Sequence, residues 1–279
     1  MAVEVHVYTD ASTFEAAVRG LLEAREAENA LLLGLLGARV PSKLMACATS
    51  DGQPALVAYD GGFNLIVSRG PQAAIAAMVE KLQALGLDLP GVCGPVPDAE
   101  RFASAWAAAR ACDLALEIDQ RIYELTAVRW PSGVAGQMRA LTLEELELAA
   151  VWGQAFDQEA LPPSEWRTLE RAREKMIPRI EAGMLFGWEH ERQLVAMAGL
   201  TRPTSRTISV NSVYTPPERR RRGFASALVA ALSAEGLRRG KQRCVLYTDL
   251  ANPTSNAIYQ RIGYRPVCDA RNYRFRARP

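Results

Sequence analysis

Residues 213–228 read Val-Tyr-Thr-Pro-Pro-Glu-Arg-Arg-Arg-Arg-Gly-Phe-Ala-Ser-Ala-Leu. A strand stops at two prolines, a cationic turn follows, and a helix opens at a glycine. The start of a helix presents backbone N–H groups without intrahelical acceptors and a partial positive charge, which together suit a phosphate or pyrophosphate. Gly223 lets the backbone approach an anion closely, and Phe224, Ala225 and Ser226 form a first turn with little bulk at its second and third positions. Arg219, Arg220, Arg221 and Arg222 add positive field. A basic run beside a helix is commonly just solvated, but the placement between strand and helix gives the anion-binding reading. Neither the GxxxxGK-Ser/Thr loop of nucleotide triphosphatases nor the GxGxxG dinucleotide fingerprint occurs.

A second stretch, residues 248–264, reads Thr-Asp-Leu-Ala-Asn-Pro-Thr-Ser-Asn-Ala-Ile-Tyr-Gln-Arg-Ile-Gly-Tyr. Asn252 is a natural N-cap, Pro253 suits the first helical position, and Gly263 closes the helix. Asn252, Ser255 and Tyr259, three and four apart, line one face, with Ile258 and Ile262 on an adjacent apolar stripe. Taken alone, this is also the pattern of an ordinary capped helix with a surface tyrosine.

Together the two stretches carry a resemblance. Arg220-x-x-Gly223-x-Ala225 is similar to the Gln/Arg-x-x-Gly-x-Gly/Ala signature of the GNAT superfamily of N-acetyltransferases. Asn252-x-x-Ser255-x-x-x-Tyr259-x-x-x-Gly263-Tyr264 resembles that family's other diagnostic segment. Arg221 stands where the family often has a further glycine. The match covers residues 210 to 275. What it implies is acetyl-CoA as acyl donor and cosubstrate, with no metal. The amides around Gly223 would hold the pyrophosphate. Val213, Tyr214 and Thr215 would pair with the pantetheine arm, and Asn252 and Ser255 would touch it. Tyr259 would stand near the sulfur. The reaction implied is direct transfer of the acetyl group to a neutral primary amine. A phenol of pKa ~10 can protonate a thiolate whose thiol pKa is about 8–9, which makes Tyr259 the candidate acid. A strand N–H near Val213 or Tyr214 would polarise the carbonyl. The strand before the turn, residues 207–214, holds no carboxylate, so the base stays open among water, Asp157, Glu159 and Asp249, with Asp249 the best placed.

These residues need elements to position them. The second half reads as a strand at 137–141 and a helix capped by Thr142 and Glu145, with Leu143, Leu146 and Ala150 on its apolar face. A further helix is expected at 164–181, and a hairpin at 184–188 and 194–200. Then come a strand at 208–214, a helix at 224–239, a strand at 243–248, a helix at 253–262, and strands at 264–268 and 273–277. The first half repeats this order: a strand at 3–8, helices to residue 39, strands at 44–49, 54–59 and 63–67, helices at 73–85 and 99–111, and a strand at 121–128. Arg121-Ile-Tyr-Glu-Leu-Thr-Ala127 parallels Arg271-Asn-Tyr-Arg-Phe-Arg-Ala277, which points to an internal duplication. The Pro- and Gly-rich stretch 130–136 is the expected joint, giving domains 1–131 and 136–279. The fold class expected is a mixed α/β sheet of two tandem GNAT-like domains. The first is degenerate: residues 68–72 lack the signature spacing and Pro71 removes a donor, while 91–95 reads as a turn-rich strand end. Tandem halves also build mycothiol synthase-like and peptidoglycan aminoacyl-transferring enzymes, which by analogy favours a small-molecule acceptor.

The composition bounds the rest. The chain has 279 residues, 49% hydrophobic, with 33 basic and 31 acidic side chains for a net charge of +2. That balance argues against nucleic acid or an anionic membrane as the main partner. Five scattered cysteines without a CxxC pair suit a reducing compartment, and two histidines, His6 in a strand and His190 in a turn, exclude a His-rich metal site. The first residues lack the pattern of a signal peptide and no apolar run is long enough to span a bilayer, so a cytoplasmic protein is expected. Acyl chain length and oligomeric state have no signature here. Two other readings fit less well: a non-catalytic acetyl-CoA sensor, and an aminoacyl-tRNA-dependent transferase.

Overall fold

In the computed structural model, which describes residues 2–278, one run of elements occurs twice. The first is β1 (Val3–Tyr8), α1 (Ala11–Glu23), α2 (Ala30–Gly37), β2 (Met45–Ser50), β3 (Gln53–Asp60), β4 (Leu65–Val67), α3 (Gln72–Ala84), β5 (Gly91–Pro95), α4 (Asp98–Arg110) and β6 (Asp113–Leu125). The second is β7 (Gln137–Ala140), α5 (Leu146–Ala160), α6 (Leu169–Glu181), β8 (Leu185–His190), β9 (Gln193–Thr201), β10 (Thr207–Tyr214), α7 (Phe224–Arg238), β11 (Arg243–Asp249), α8 (Pro253–Arg261) and β12 (Arg265–Arg276). In each run four strands pair antiparallel in sequence order. The fifth then joins the fourth in parallel after a helical crossover, as a parallel pair requires. The fold is mixed α/β.

The chain divides into two compact units. One runs to Ile122 and takes in the segment from Val267 onward; the other is Tyr123–Pro266. The stretch 130–136 therefore lies inside the second unit, and the division falls within β6 and β12. The first unit has the strand order β1-β2-β3-β4-β5-β12-β6, and the second β11-β10-β9-β8-β7. In the first unit β12 pairs antiparallel with β5, Ala270 opposite Pro95 and Tyr273 opposite Val92, and Asn64 Nδ2 donates to Asn272 Oδ1 at 2.5 Å.

Alternation along the strands builds a core on each sheet face. In the first unit Ala46, Leu56 and Val67 face α3 and α4 through Met78, Phe102 and Trp106. Their neighbours Cys47, Val57 and Ile66 face α1 and α2 through Phe14, Leu22 and Leu32. In the second unit Phe186, Ala198 and Val210 pack with Leu228 and Leu232 of α7 and Tyr259 of α8. Leu185, Met197 and Tyr214 pack with Trp152 of α5 and Met176 of α6.

Four local expectations are corrected. The helix expected at 164–181 is a single 3-10 turn (Pro163–Glu165), then extended Trp166, then α6, whose N-cap Thr168 accepts from Arg171 N–H. Leu143 lies in a 3-10 turn ahead of α5 and is 51% exposed, so it is not on the apolar face; Glu145 does accept from Thr142 N–H at 2.7 Å. The two strands expected at the C-terminal end are the continuous β12. The stretch 91–95 is the internal strand β5, where a Cβ on Gly91 would collide with the Tyr273 carbonyl and the Asn64 side chain.

Candidate active site

Every residue singled out by the two motifs lies in the second unit. Strand β10 pairs with β9 from Ser209 to Asn211, and the register then shifts before Tyr214 meets Met197. The bulge turns on Ser212, at φ 52°. On its other edge β10 pairs with β11 only over residues 207–209 against 243–245 among the described residues. Beyond that point the edge of β10 toward β11, including Val213 and Tyr214, offers backbone N–H and C=O groups to an extended amide chain.

The turn after β10 is shaped around its own N–H groups. A 3-10 turn (Pro217–Arg219) leads to Arg220 at φ −69°, Arg221 at φ 62° and Gly223 at φ 81°. Arg220 is extended (ψ 166°), while left-handed Gly223 leads directly into the right-handed first turn of α7, a pairing that turns successive N–H groups to one side as a nest for an anion. No side chain caps α7, and the bond from Ala227 N–H to the Gly223 carbonyl is the first to close its N-terminal turn, at 3.0 Å. The amides of Phe224, Ala225 and Ser226 are thus the orphan donors of a helix start. Gly223 is demanded twice, by its positive φ and because a Cβ there would stand 2.8 Å from Val134 Cγ2. Thr215 Oγ1, at the strand end, is buried without a hydrogen-bond partner. These features fit a CoA diphosphate and pantetheine.

The four arginines do different work. Arg219 donates to Gln193 Oε1 at 2.7 Å. Arg220 braces the turn: its Nε donates to the Thr215 carbonyl at 2.8 Å, its Nη2 meets Glu159 at 2.7 Å, and its guanidinium lies 5.8 Å from the Tyr214 ring centroid. Arg222 sits 4.8 Å from the Phe224 ring centroid and 3.2 Å from His190 Nε2. Arg221 makes no ion pair among the described residues, so its charge is uncompensated by a side chain.

Helix α8 brings Tyr259 into the same core cluster as Phe224 and Leu228. Tyr259 is 8% exposed, its ring edge-on to Tyr264 at 5.9 Å, and burial pushes its pKa up to about 12. Asn252 caps α8 by accepting from Ser255 N–H at 3.0 Å. Asn256, which sequence reasoning passed over, ties the helix down: its Nδ2 donates to the carbonyls of Asp249 and Asn252, and its Oδ1 accepts from the buried Tyr123 hydroxyl at 3.1 Å.

Each carboxylate considered as a base is already engaged. Glu159 holds Arg220. Asp249 accepts from Ala251 N–H at 2.8 Å. Asp157 is 1% exposed and paired with Arg167, yet burial still raises its pKa. Sequence reasoning also missed a group of cations about Asp157: Arg167, Lys175, Arg179 and Arg202. The signal was the i, i+4 spacing of Lys175 and Arg179 beside the buried Met176 and Ile180 of α6. Among the described residues no group of three metal-ligating side chains stands together, and no helix is long and apolar enough to cross a membrane.

Residues 148–264 match the profile of the Acetyltransferase (GNAT) family, so this segment is a GNAT acetyltransferase domain. Solved structures extend the likeness over the chain as a fold. A GCN5-related N-acetyltransferase from Sphaerobacter thermophilus is 18% identical at TM-score 0.65, covering 99% of this chain and 96% of that one. An acetyltransferase of the GNAT family from Colwellia psychrerythraea is 11% identical at TM-score 0.61, over 99% and 100%. A tandem GNAT protein from the clavulanic acid biosynthesis pathway is 16% identical at TM-score 0.57, over 99% of both chains. No curated protein matches the chain significantly.

Proposed function

We propose that this protein is an acetyl-CoA-dependent N-acetyltransferase acting on a primary amine of a small acceptor. The observation that carries the reading is the helix start at Gly223, where the amides of Phe224, Ala225 and Ser226 have no intrahelical acceptor, next to Arg221, which makes no ion pair among the described residues, and joined to the half-paired end of β10. The donor supplies an activated acetyl thioester. Arg221, Arg222, Gly223, Phe224, Ala225 and Ser226 would hold its diphosphate, and Val213, Tyr214 and Thr215 would align its amide arm, with Asn252 and Ser255 flanking it. Tyr259 stays protonated through the whole neutral range and would give its proton to the departing thiolate. With the nearby carboxylates engaged, the amine would lose its proton to water.

The first unit is a degenerate copy in this reading. Its counterpart of the nest is four residues long, 68–71, against nine, 215–223. Pro71 precedes α3, and Arg69 is neutralised by Glu28 at 2.7 Å. The five cysteines carry no disulfide, which suits the cytoplasm.

Thermal unfolding with and without acetyl-CoA tests the donor site. At ~100 times Kd, binding to the native state adds about 2.7 kcal/mol of stability. Wild type should show the gain and Gly223→Glu, which puts a carboxylate in the nest, should lose it. No gain in wild type sinks the donor assignment. The engaged carboxylates favour a second reading, a sensor that binds acetyl-CoA without turnover. It predicts the same stabilisation but no CoA release over a broad panel of amines.

A further inference from the structure

We propose that Arg167, Lys175, Arg179 and Arg202 form an acceptor subsite for an anionic group, so that the amine this protein acylates also carries a carboxylate or a phosphate. The inference rests on the acetyltransferase reading for the word acceptor, but the anion site itself stands on the second unit alone. Arg167 lies just before the N-cap of α6, Lys175 and Arg179 are one turn apart on α6, and Arg202 follows β9 with φ 47°. Lys175 lies within electrostatic reach of the three arginines and of Asp157, Arg179 within reach of Arg202 and Arg167, and Arg202 within reach of Tyr247.

Four cations against one anion, largely out of water, are costly unless a counter-charge arrives. Nε of Arg167, Arg179 and Arg202 is in each case buried with no hydrogen-bond partner, as is Asp157 Oδ2. The positions of the protons agree. Burial and the neighbouring Arg167 and Arg179 push the Lys175 pKa down to about 8. Burial, then Arg202 and Arg167, push Arg179 down to about 10. A bound anion would relieve the four cations, though not the Asp157 oxygen, which it would repel. A purely structural role explains one member: Arg179 bridges α6 to the bulge of β10, donating to Asn211 Oδ1 at 2.6 Å and Ser212 Oγ at 3.0 Å. It leaves Lys175, which makes no ion pair among the described residues, unexplained.

The position fits an acceptor. Asn211 and Ser212 immediately precede Val213 and Tyr214, along which the donor arm is proposed to lie. A molecule anchored by its anionic end at Arg179 would rest against the same strand. Arg167, with 23% of its side-chain surface exposed, is the outer edge of the group, and the unpartnered Nε atoms lie beneath the surface.

Two arms on the full-length protein test this. In the first, the Lys175 side-chain NMR signal is followed during titration with inorganic phosphate and, separately, propionate. Saturable movement with a raised Lys175 pKa is expected, strongest for the chemistry the site takes, and lost in Arg202→Gln. In the second, acetyl-CoA-dependent CoA release is compared for matched amines: amino acids against their amides, and aminoalkyl phosphates against the amino alcohols. One anionic member should be favoured in kcat/KM by about tenfold or more, as a charge-assisted pair would give. Lys175→Met, which breaks no hydrogen bond, should collapse that preference. Equal turnover of the paired amines overturns the proposal. If no amine is turned over, the acetyltransferase reading fails, and the first arm decides the anion site: saturation supports it, a motionless Lys175 signal overturns it.

Discussion

Tyr259 is held by its ring, edge-on to Tyr264 in the core beside α7, and burial keeps its proton on up to about pH 12. A donor of that kind acts on the leaving group without affecting how the donor molecule binds. Tyr259→Phe should therefore lower kcat by about a hundredfold while the acetyl-CoA Kd, read by calorimetry, stays within twofold or so. Lys175 carries a stability prediction. Its pKa is near 8 in the folded chain against 10.5 ordinarily. Between those values the unfolded chain binds a proton that the folded chain has released, so stability rises with pH across that window and is lowest below it. Lys175→Met should remove this rise and stabilise the protein at pH 7, by at most about 3 kcal/mol and less for the exposure the side chain keeps. Urea midpoints at pH 7 and pH 10 measure it; a wild-type curve as flat as the variant's would contradict the assignment.

The turn between β10 and α7 is rigid because Arg220 spans it, from the Thr215 carbonyl to Glu159 on α5. Its charge is largely spent on Glu159, so in the proposed donor site it would contribute the shape of the turn. Arg220→Ala should weaken acetyl-CoA binding by about 1–2 kcal/mol, with little change in the salt dependence of Kd, whereas Arg221→Ala should reduce that salt dependence. Helix α8 is positioned by the cap at Asn252 and the three bonds of Asn256. Its register sets which residue reaches the core, and that residue is Tyr259.

The first unit depends on the far end of the chain, because β12 supplies the strand beside β5 and the Asn272 partner of Asn64. Ending the chain at Pro266 leaves the family match at 148–264 intact but strips β5 of that partner. Limited proteolysis of such a truncation should cut within the first 122 residues, with the second unit persisting as a resistant fragment. Equal resistance of both units would contradict the division. On the same reasoning Gly91→Val, which drives a side chain into Tyr273 and Asn64, should destabilise the first unit by about 2 kcal/mol or more.

Local chemistry determined what the sequence alone could reveal. Gly223 and Gly263 at positive φ, the Asn252 cap, Pro253 at the first helical position and the alternation of β10 are short-range effects that a window of residues encodes. So the repeat of elements, the mixed sheet and both family motifs were legible. The break at Trp166, where the chain extends between a 3-10 turn and α6, was hidden under continuous helical periodicity. Strand β5 was obscured because its glycines look like turn residues until Tyr273 and Val67 are seen packed against them. The return of β12 to the first unit and the cations gathered at Asp157 were decided by tertiary structure, because they join residues distant in sequence whose charges and edges meet only when the chain folds.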